Sequence, residues 1–335
     1  MAILGNEEHK QRLNLSSFAK SVIDMDRGIF DEGGTLSGFL NRIIDQFRFK
    51  ADASIDEAVS ERQYQLIQNG ISDDILQKLT DEYRNNLIEK IQAYPQGDSL
   101  IFRLNNKNFK FLYEDKAESN NYSAPSKYLK ALIEEYTRLS PSERERIYYN
   151  ELIENVLENA IDTGSILSVK FGQRAFWVKP YSIMADPYNS HLYLVGMSRP
   201  EGSSNDESVI ASFRITRLSY VARRKHPSGK ITIHERKEIE KKIQQVGIQY
   251  LIGDNDIITL RLSEAGKREF NQRSYMRPIP YKIEKDIYHF NCTALQIRNY
   301  FFSFGANVEV ISPDSIRQEF INRYKDALDS YVNSN

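Results

Sequence analysis

Five short runs decide the fold: 166-ILSVKF-171, 175-AFWVKPYS-182, 192-LYLVGM-197, 209-VIASFRI-215 and 218-LSYVAR-223. Each is rich in β-branched and aromatic residues and is bounded by turn residues, the mark of a short strand. Five such strands in about 60 residues predict a small closed barrel of the SH3 or Sm kind. Strand alternation then assigns faces. Phe213 and Ile215 point one way, and Ser212, Arg214 and Thr216 the other. Likewise Leu167, Val169 and Phe171 oppose Ser168 and Lys170.

Residues 143–225 resemble the WYL domain of bacterial regulators. Leu192-Tyr193-Leu194 stands at the family's Trp-Tyr-Leu position, with Val178-Lys179-Pro180-Tyr181 upstream. Phe213-Arg214-Ile215-Thr216-Arg217-Leu218 stands at its Phe-Arg-Leu-Asp-Arg-Ile position. Two departures matter. Leu192 replaces the Trp, which bears on packing, and Thr216 replaces an acid, which leaves Arg217 without its usual neighbouring carboxylate. The resemblance implies a sensor for nucleic acid or another anionic ligand.

Upstream, Ser140-Pro141-Ser142-Glu143 supplies an N-cap, a Pro at the first helical position and a Glu at the third. The helix it opens is expected to reach Asp162, before Gly164. Downstream, Ile257 to Leu262 reads as strand, Glu264 to Arg273 as helix, Ile287 to Ala294 as strand and Leu295 to Phe304 as helix. Val308 to Ile311 is a further strand, followed by a helix from Ser312-Pro313 to Val332. One more strand in Arg277 to Glu284 would make the order βαββαβ, a ferredoxin-like layer. The WYL resemblance implies such an extension, often used for contacts between subunits.

Residues 9–49 read strand, helix, turn, helix. Gln11, Leu13 and Leu15 share one strand face, and Lys10, Arg12 and Asn14 the other. Phe18, Val22, Met25 and Ile29 form the expected helical stripe, Gly33-Gly34 ends that helix, and Thr35 caps a second whose stripe is Leu36, Phe39, Leu40, Ile43, Ile44 and Phe47. So short a piece cannot close a core alone, and its strand has an open edge, so dimerisation is expected. KQRLNLSSFAKSVI and GGTLSGFLNRIIDQF resemble the ribbon-helix-helix fold of small bacterial DNA-binding proteins. That resemblance implies a ribbon formed between two chains, with Lys10, Arg12 and Asn14 toward bases and the amides after Thr35 on a phosphate. The alternative is a helical hairpin used only for dimerisation or docking.

Residues 54–116 add two helical patterns ending near Tyr94-Pro95 and an expected hairpin, Ser99 to Leu104 with Asn108 to Tyr113. Asn120 to Ser126 reads as a linker. The expected fold class is α+β multidomain: a ribbon-helix-helix-like start (1–65), a connector (66–140), a WYL domain (141–228) and a C-terminal ferredoxin-like α+β dimerisation domain (229–335).

The 335 residues carry 45 Lys and Arg against 46 Asp and Glu, with 40% hydrophobic residues. Chain-wide disorder is therefore excluded. A single cysteine, Cys292, permits no internal disulfide, and the five histidines form no group at zinc-ligand spacing. The start, MAILGNEEHKQRL, meets acids before any signal core, and no apolar run is long enough to span a bilayer. A cytoplasmic protein without metal, cofactor or membrane contact is expected. Catalysis finds no support. His9, His191, His226, His234 and His289 precede no nucleophile motif; Gly33-Gly34 lacks the Lys-Ser/Thr of a phosphate loop; Asp254 and Asp256 lack the rest of a calcium loop.

Charge is local. From Arg214 to Lys242 there are ten Lys and Arg against three Glu, an excess of seven, whereas residues 1–65 hold eight bases and eleven acids. A DNA-reading start would show the reverse balance. The expected nucleic-acid-binding set is Lys170, Lys179, Tyr181, Tyr193, Ser212, Arg214, Arg217, Arg223, Arg224 and Lys225, combining anion contacts with a stacking platform. The plainer reading pairs the arginines with local carboxylates and uses the tyrosines as filling.

A ribbon-helix-helix start joined to a WYL domain looks like the WYL accessory proteins encoded beside type VI-D CRISPR systems. That likeness implies a homodimer that binds single-stranded RNA and stimulates an RNA-targeting effector nuclease. The alternative is a dimeric, ligand-responsive regulator that binds duplex DNA through Lys10, Arg12, Asn14 and Thr35. A third class is an adaptor between proteins.

Overall fold

A computed structural model describes residues 9–48, 53–93, 97, 99–115, 124–203, 207–251 and 256–332. Two compact units emerge: residues 1–153 with 189–191, and residues 154–188 with 192–335.

The first unit opens with β1 (Lys10–Asn14), α1 (Ser17–Phe30) and α2 (Leu36–Phe47). Ser16 and Thr35 cap the two helices, their hydroxyls accepting from the amides of Ala19 and Gly38. The strand faces fall as the alternation requires. Gln11, Leu13 and Leu15 are buried, and Lys10, Arg12 and Asn14 are exposed. All apolar members of the α2 stripe except half-buried Leu36 are buried.

Three expectations need correction. The edge of β1 does not wait for a second chain: it pairs antiparallel with β2 (Ser99–Arg103), Lys10 opposite Arg103 and Asn14 opposite Ser99. The stripe of α1 is displaced by one position. Ala19, Val22, Ile23, Asp26 and Phe30 are buried, whereas Phe18, Met25 and Ile29 are 61%, 52% and 42% exposed. The reason is Asp26. It belongs on the inner face because Arg144 pairs with it there, Nε to Oδ2 at 2.7 Å, and the Tyr136 hydroxyl donates to it at 3.0 Å. Finally, the segment after β2 is helical rather than the return arm of a hairpin. Asn105 caps α5 (Asn106–Lys110), accepting from the Asn108 amide at 2.7 Å, and the buried Asn108 side chain donates to Asn41 on α2.

The helices α3 (Ala53–Gln68) and α4 (Asp73–Gln92) follow α2 as an antiparallel pair, and α6 (Pro125–Arg138) and α7 (Pro141–Tyr148) complete the unit. Tyr94-Pro95 and most of the 120–126 linker lie outside the described residues. The core joins Leu13, Ile23, Phe39, Ile43, Phe102, Leu132 and Tyr136. The capping box of α7 is present: the Glu143 carboxylate accepts from the Ser140 amide at 2.8 Å, and this bonding with the Ser140 hydroxyl lowers its pKa. The helical run continues through α8 (Asn150–Leu152), a wider π turn at Ile153–Glu158 and α9 (Asn159–Thr163), and Gly164 ends it at φ +67°.

The second unit holds β3 (Ser165–Phe171), β4 (Arg174–Ala185), β5 (Leu192–Pro200), β6 (Val209–Arg214) and β7 (Leu218–Ser228) in one antiparallel sheet of order β6-β5-β4-β3-β7. Its inner face is a dry core of Leu167, Val169, Val178, Leu192, Leu194, Phe213 and Ile215, each at most 4% exposed. In this ladder β6 and β7 are the two ends of the sheet, joined through a 3₁₀ turn at Ile215–Arg217. After α10 (Ile233–Val246) come β8 (Asp256–Leu262), α11 (Glu264–Gln272), β9 (Pro280–Glu284), β10 (Ile287–Cys292), α12 (Ala294–Phe301), β11 (Val308–Ser312) and α13 (Asp314–Val332). The sheet order β11-β8-β10-β9, all antiparallel, is the βαββαβ arrangement of a ferredoxin-like layer. Among the described residues no helix is long and apolar enough to cross a membrane.

Candidate nucleic-acid interface

The site is built on the outer face of the β3–β7 sheet. Register carries that face across the strands: Ser168 lies opposite Trp177 and Ala222, Lys170 opposite Ala175 and Tyr220, and Trp177 opposite Arg199. On β5 and β6 the same face carries Tyr193 opposite Arg214 and Val195 opposite Ser212. In the middle of β4 the register shifts between Pro180 and Ser182. Gly196 faces that kink, where a Cβ would run into the Lys179 carbonyl oxygen, so glycine is required.

One half of this face is covered. Helix α10 lies over β4, anchored by buried Ile239 and Val246. Its Glu235 has two duties. The carboxylate caps its own helix by accepting from the Thr232 amide at 2.7 Å, and it pairs with Lys179 Nζ at 2.7 Å. Burial would raise this carboxyl, but the bonds from Lys179 and Thr232 outweigh that and lower it. The Tyr181 hydroxyl donates to Glu240 at 2.8 Å; partial burial first, and this bond second, raise its pKa. Tyr193 and Ser212 are buried beside Ile248 and Tyr250 of the turn after α10, with Tyr193 part of that core. Tyr193 is therefore a packing residue and offers no open ring. Arg214 is half-buried at the same margin.

The other half is open, and there the chain's single tryptophan lies under two cations. The guanidinium carbons of Arg224 and Arg199 stand 4.0 and 4.6 Å from the Trp177 ring centroid. Such stacking holds a guanidinium flat against the ring. Trp177 Nε1 is enclosed and has no hydrogen-bond acceptor among the described residues. Lys170 and Tyr220 are exposed beside it, Tyr220 by 52%. Among the described residues the Glu201 carboxylate shares the area, accepting from Ser168 at 3.5 Å.

The residues expected from the sequence therefore separate. Lys170 and Arg224 belong to the open half. Lys179, Tyr181, Tyr193, Ser212 and Arg214 belong to the covered half. Arg217 is exposed on the 3₁₀ turn, and Arg223 faces the other side of β7, where it bonds to Asn159. The side chain of Lys225 lies outside the described residues. Trp177, Arg199 and Tyr220 escaped sequence reading. Alternation places Trp177 on the face of Lys179, but bringing Arg199 and Arg224 over it requires the pairing order of three strands.

At the ribbon, Arg12 Nε donates to Ser99 at 3.2 Å, and the Thr35 hydroxyl is occupied by the Gly38 amide. No group of His, Cys, Asp and Glu fit for a metal occurs among the described residues.

No protein-family model and no curated protein matches the chain. Among solved structures, one described as the crystal structure of a CRISPR Cas-related protein is similar, with a TM-score of 0.73 and 24% sequence identity over 97% of this chain and 94% of that chain. The likeness is one of fold. Proteasome accessory factor B/C of Arthrobacter aurescens shares 11% identity over 96% of this chain and 50% of that one, with a TM-score of 0.26, too low to bear on the fold.

Proposed function

We propose that this protein binds single-stranded RNA on the open half of the β3–β7 face and serves as an accessory protein of a CRISPR system, stimulating an RNA-targeting effector nuclease. The carrying observation is the Trp177 platform with Arg199 and Arg224 laid over it. Flattened guanidinium groups suit phosphate oxygens through their edges and bases through their faces. The exposed ring of Tyr220 adds a stacking surface, and Lys170 adds charge. The local excess of basic residues between Arg214 and Lys242 favours a polyanion in this region. A fold shared with a protein described as CRISPR Cas-related agrees with the accessory role. The WYL resemblance of residues 143–225 supports the same reading. Duplex DNA binding through the ribbon has less support, since β1 makes its ladder with β2 and residues 1–65 are net acidic.

The test is titration of labelled single-stranded RNA with the wild type and with Arg199→Ala/Arg224→Ala. For every phosphate that the variant no longer neutralises, the slope of log affinity against log salt should fall by about 0.7. Trp177→Ala removes the ring that holds both guanidinium groups flat and should weaken binding by roughly tenfold, the scale of about 1–2 kcal/mol of cation–π stacking. Arg12→Ala should leave affinity unchanged. Undiminished binding by both platform variants would overturn the assignment.

A further inference from the structure

Apart from the Trp177 platform, the second unit contains a recess of about 480 Å³ lined by Gln244 and Gln245 of α10, Ile257 of β8, Ile279, Tyr281 of β9 and Asn291 of β10. Its construction follows from the C-terminal sheet. Asn291 and Ile257 are cross-strand partners on the face turned away from the buried Ile258, Leu260 and Phe290. A register shift between His289 and Phe290 gives β9 an irregular start, and the Tyr281 ring lies 6.1 Å from that of His289. The end of α10 supplies two adjacent carboxamides as the remaining wall.

The lining is chemically particular. None of the six residues is charged, so the recess is not built for a phosphate or a metal ion. Three carboxamides each offer both a donor and an acceptor, the pairing that recognises the edge of a nucleobase. A tyrosine offers a ring face, and two isoleucines offer apolar walls. Ile257, Ile279 and Tyr281 are 65%, 69% and 57% exposed, a concentration of wetted apolar surface that a flat heterocycle would cover. The volume lies in the range of small-molecule pockets. Lys241 is exposed one turn before Gln244 and Gln245 on α10, a cation on the same helix.

We propose that this recess takes a nucleobase. It rests on the single-strand reading only for the source of that base, which would come from bound RNA and would give the protein a base preference that the Trp177 platform cannot. A free nucleotide carries the same chemistry. Methyl NMR of Ile257 and Ile279 in the full chain separates the two sources. The probes are the four nucleoside monophosphates, homopolymeric RNAs of about 12 nucleotides and an abasic oligomer of the same length. Both isoleucine methyls should shift with base-bearing RNA and stay fixed with the abasic strand. Tyr281→Ala should abolish the shift and weaken binding of the preferred homopolymer by about tenfold, with the salt slope unchanged. Gln244→Ala/Gln245→Ala, confined to exposed positions, should flatten the preference among bases. Shifts at lower concentrations of nucleotide than of RNA would support the recess and assign it to a free nucleotide. Methyls unmoved by every base-bearing probe, or a base preference intact in both variants, would overturn the proposal. Loss of RNA binding through the platform variants alone would leave the nucleotide titration as an independent measurement.

Discussion

Trp177 is one residue on which two independent demands meet. It is the chain's single tryptophan, and it lies on β4 two residues before Lys179, which α10 engages. Its Nε1 is enclosed and has no acceptor among the described residues. Asp26 is the contrasting case, a buried charge with a structural task. Arg144 and Tyr136 satisfy it, and the Tyr136 hydroxyl is pushed well above its ordinary pKa by burial and by the neighbouring carboxylate. Removing one partner strands the other, so Asp26→Ala should cost about 3–5 kcal/mol in urea unfolding, while RNA affinity measured on the folded fraction is unchanged. Cys292 is inert for a similar reason. Burial pushes its thiol up to about 12, so the native protein should react with thiol reagents at pH 8 far more slowly than the urea-unfolded chain.

At the scale of elements, α10 decides which half of the sheet is available. Its Glu235 carboxyl is lowered in the folded state, so the contribution of the Lys179 pair is fully present above the ordinary carboxyl range and is lost as pH falls through the lowered value. The stability advantage of the wild type over Glu235→Gln should accordingly hold at about pH 6 and shrink progressively below about pH 4, read from urea midpoints. Elements defined by local chemistry are legible in the sequence: the capping box at Ser140, the five strands, Gly164 as a helix stop and the βαββαβ alternation of the C-terminal part. Elements defined by a distant partner are not. The α1 stripe differs from its periodicity because Phe18, Met25 and Ile29 look like core, while the inner face is set by an aspartate whose arginine lies far along the chain. The return arm of the expected hairpin is instead α5, because Asn105 caps a helix where a turn is equally apt. The ladder of β1 belongs to a strand some ninety residues away, which no local pattern announces.

At the scale of the molecule, the near balance of 45 basic and 46 acidic residues conceals an uneven distribution. Counting charges along the chain locates the positive segment, and strand alternation locates the sheet face on which the proposed site lies. Neither foresees that α10 and the turn after it cover the part carrying Arg214, Tyr193 and Lys179, leaving Lys170 and Arg224 to join Trp177, Arg199 and Tyr220. The site that remains is small, cationic and aromatic, which suits a strand whose bases are accessible and disfavours a duplex whose bases are stacked inside. The most direct test is fluorescence anisotropy of the full protein with single-stranded RNA and with duplex DNA of matched length at two salt concentrations. The account predicts tighter binding to the single strand, with an affinity that falls steeply as salt rises; equal or stronger binding to the duplex, or an affinity indifferent to salt, would contradict it.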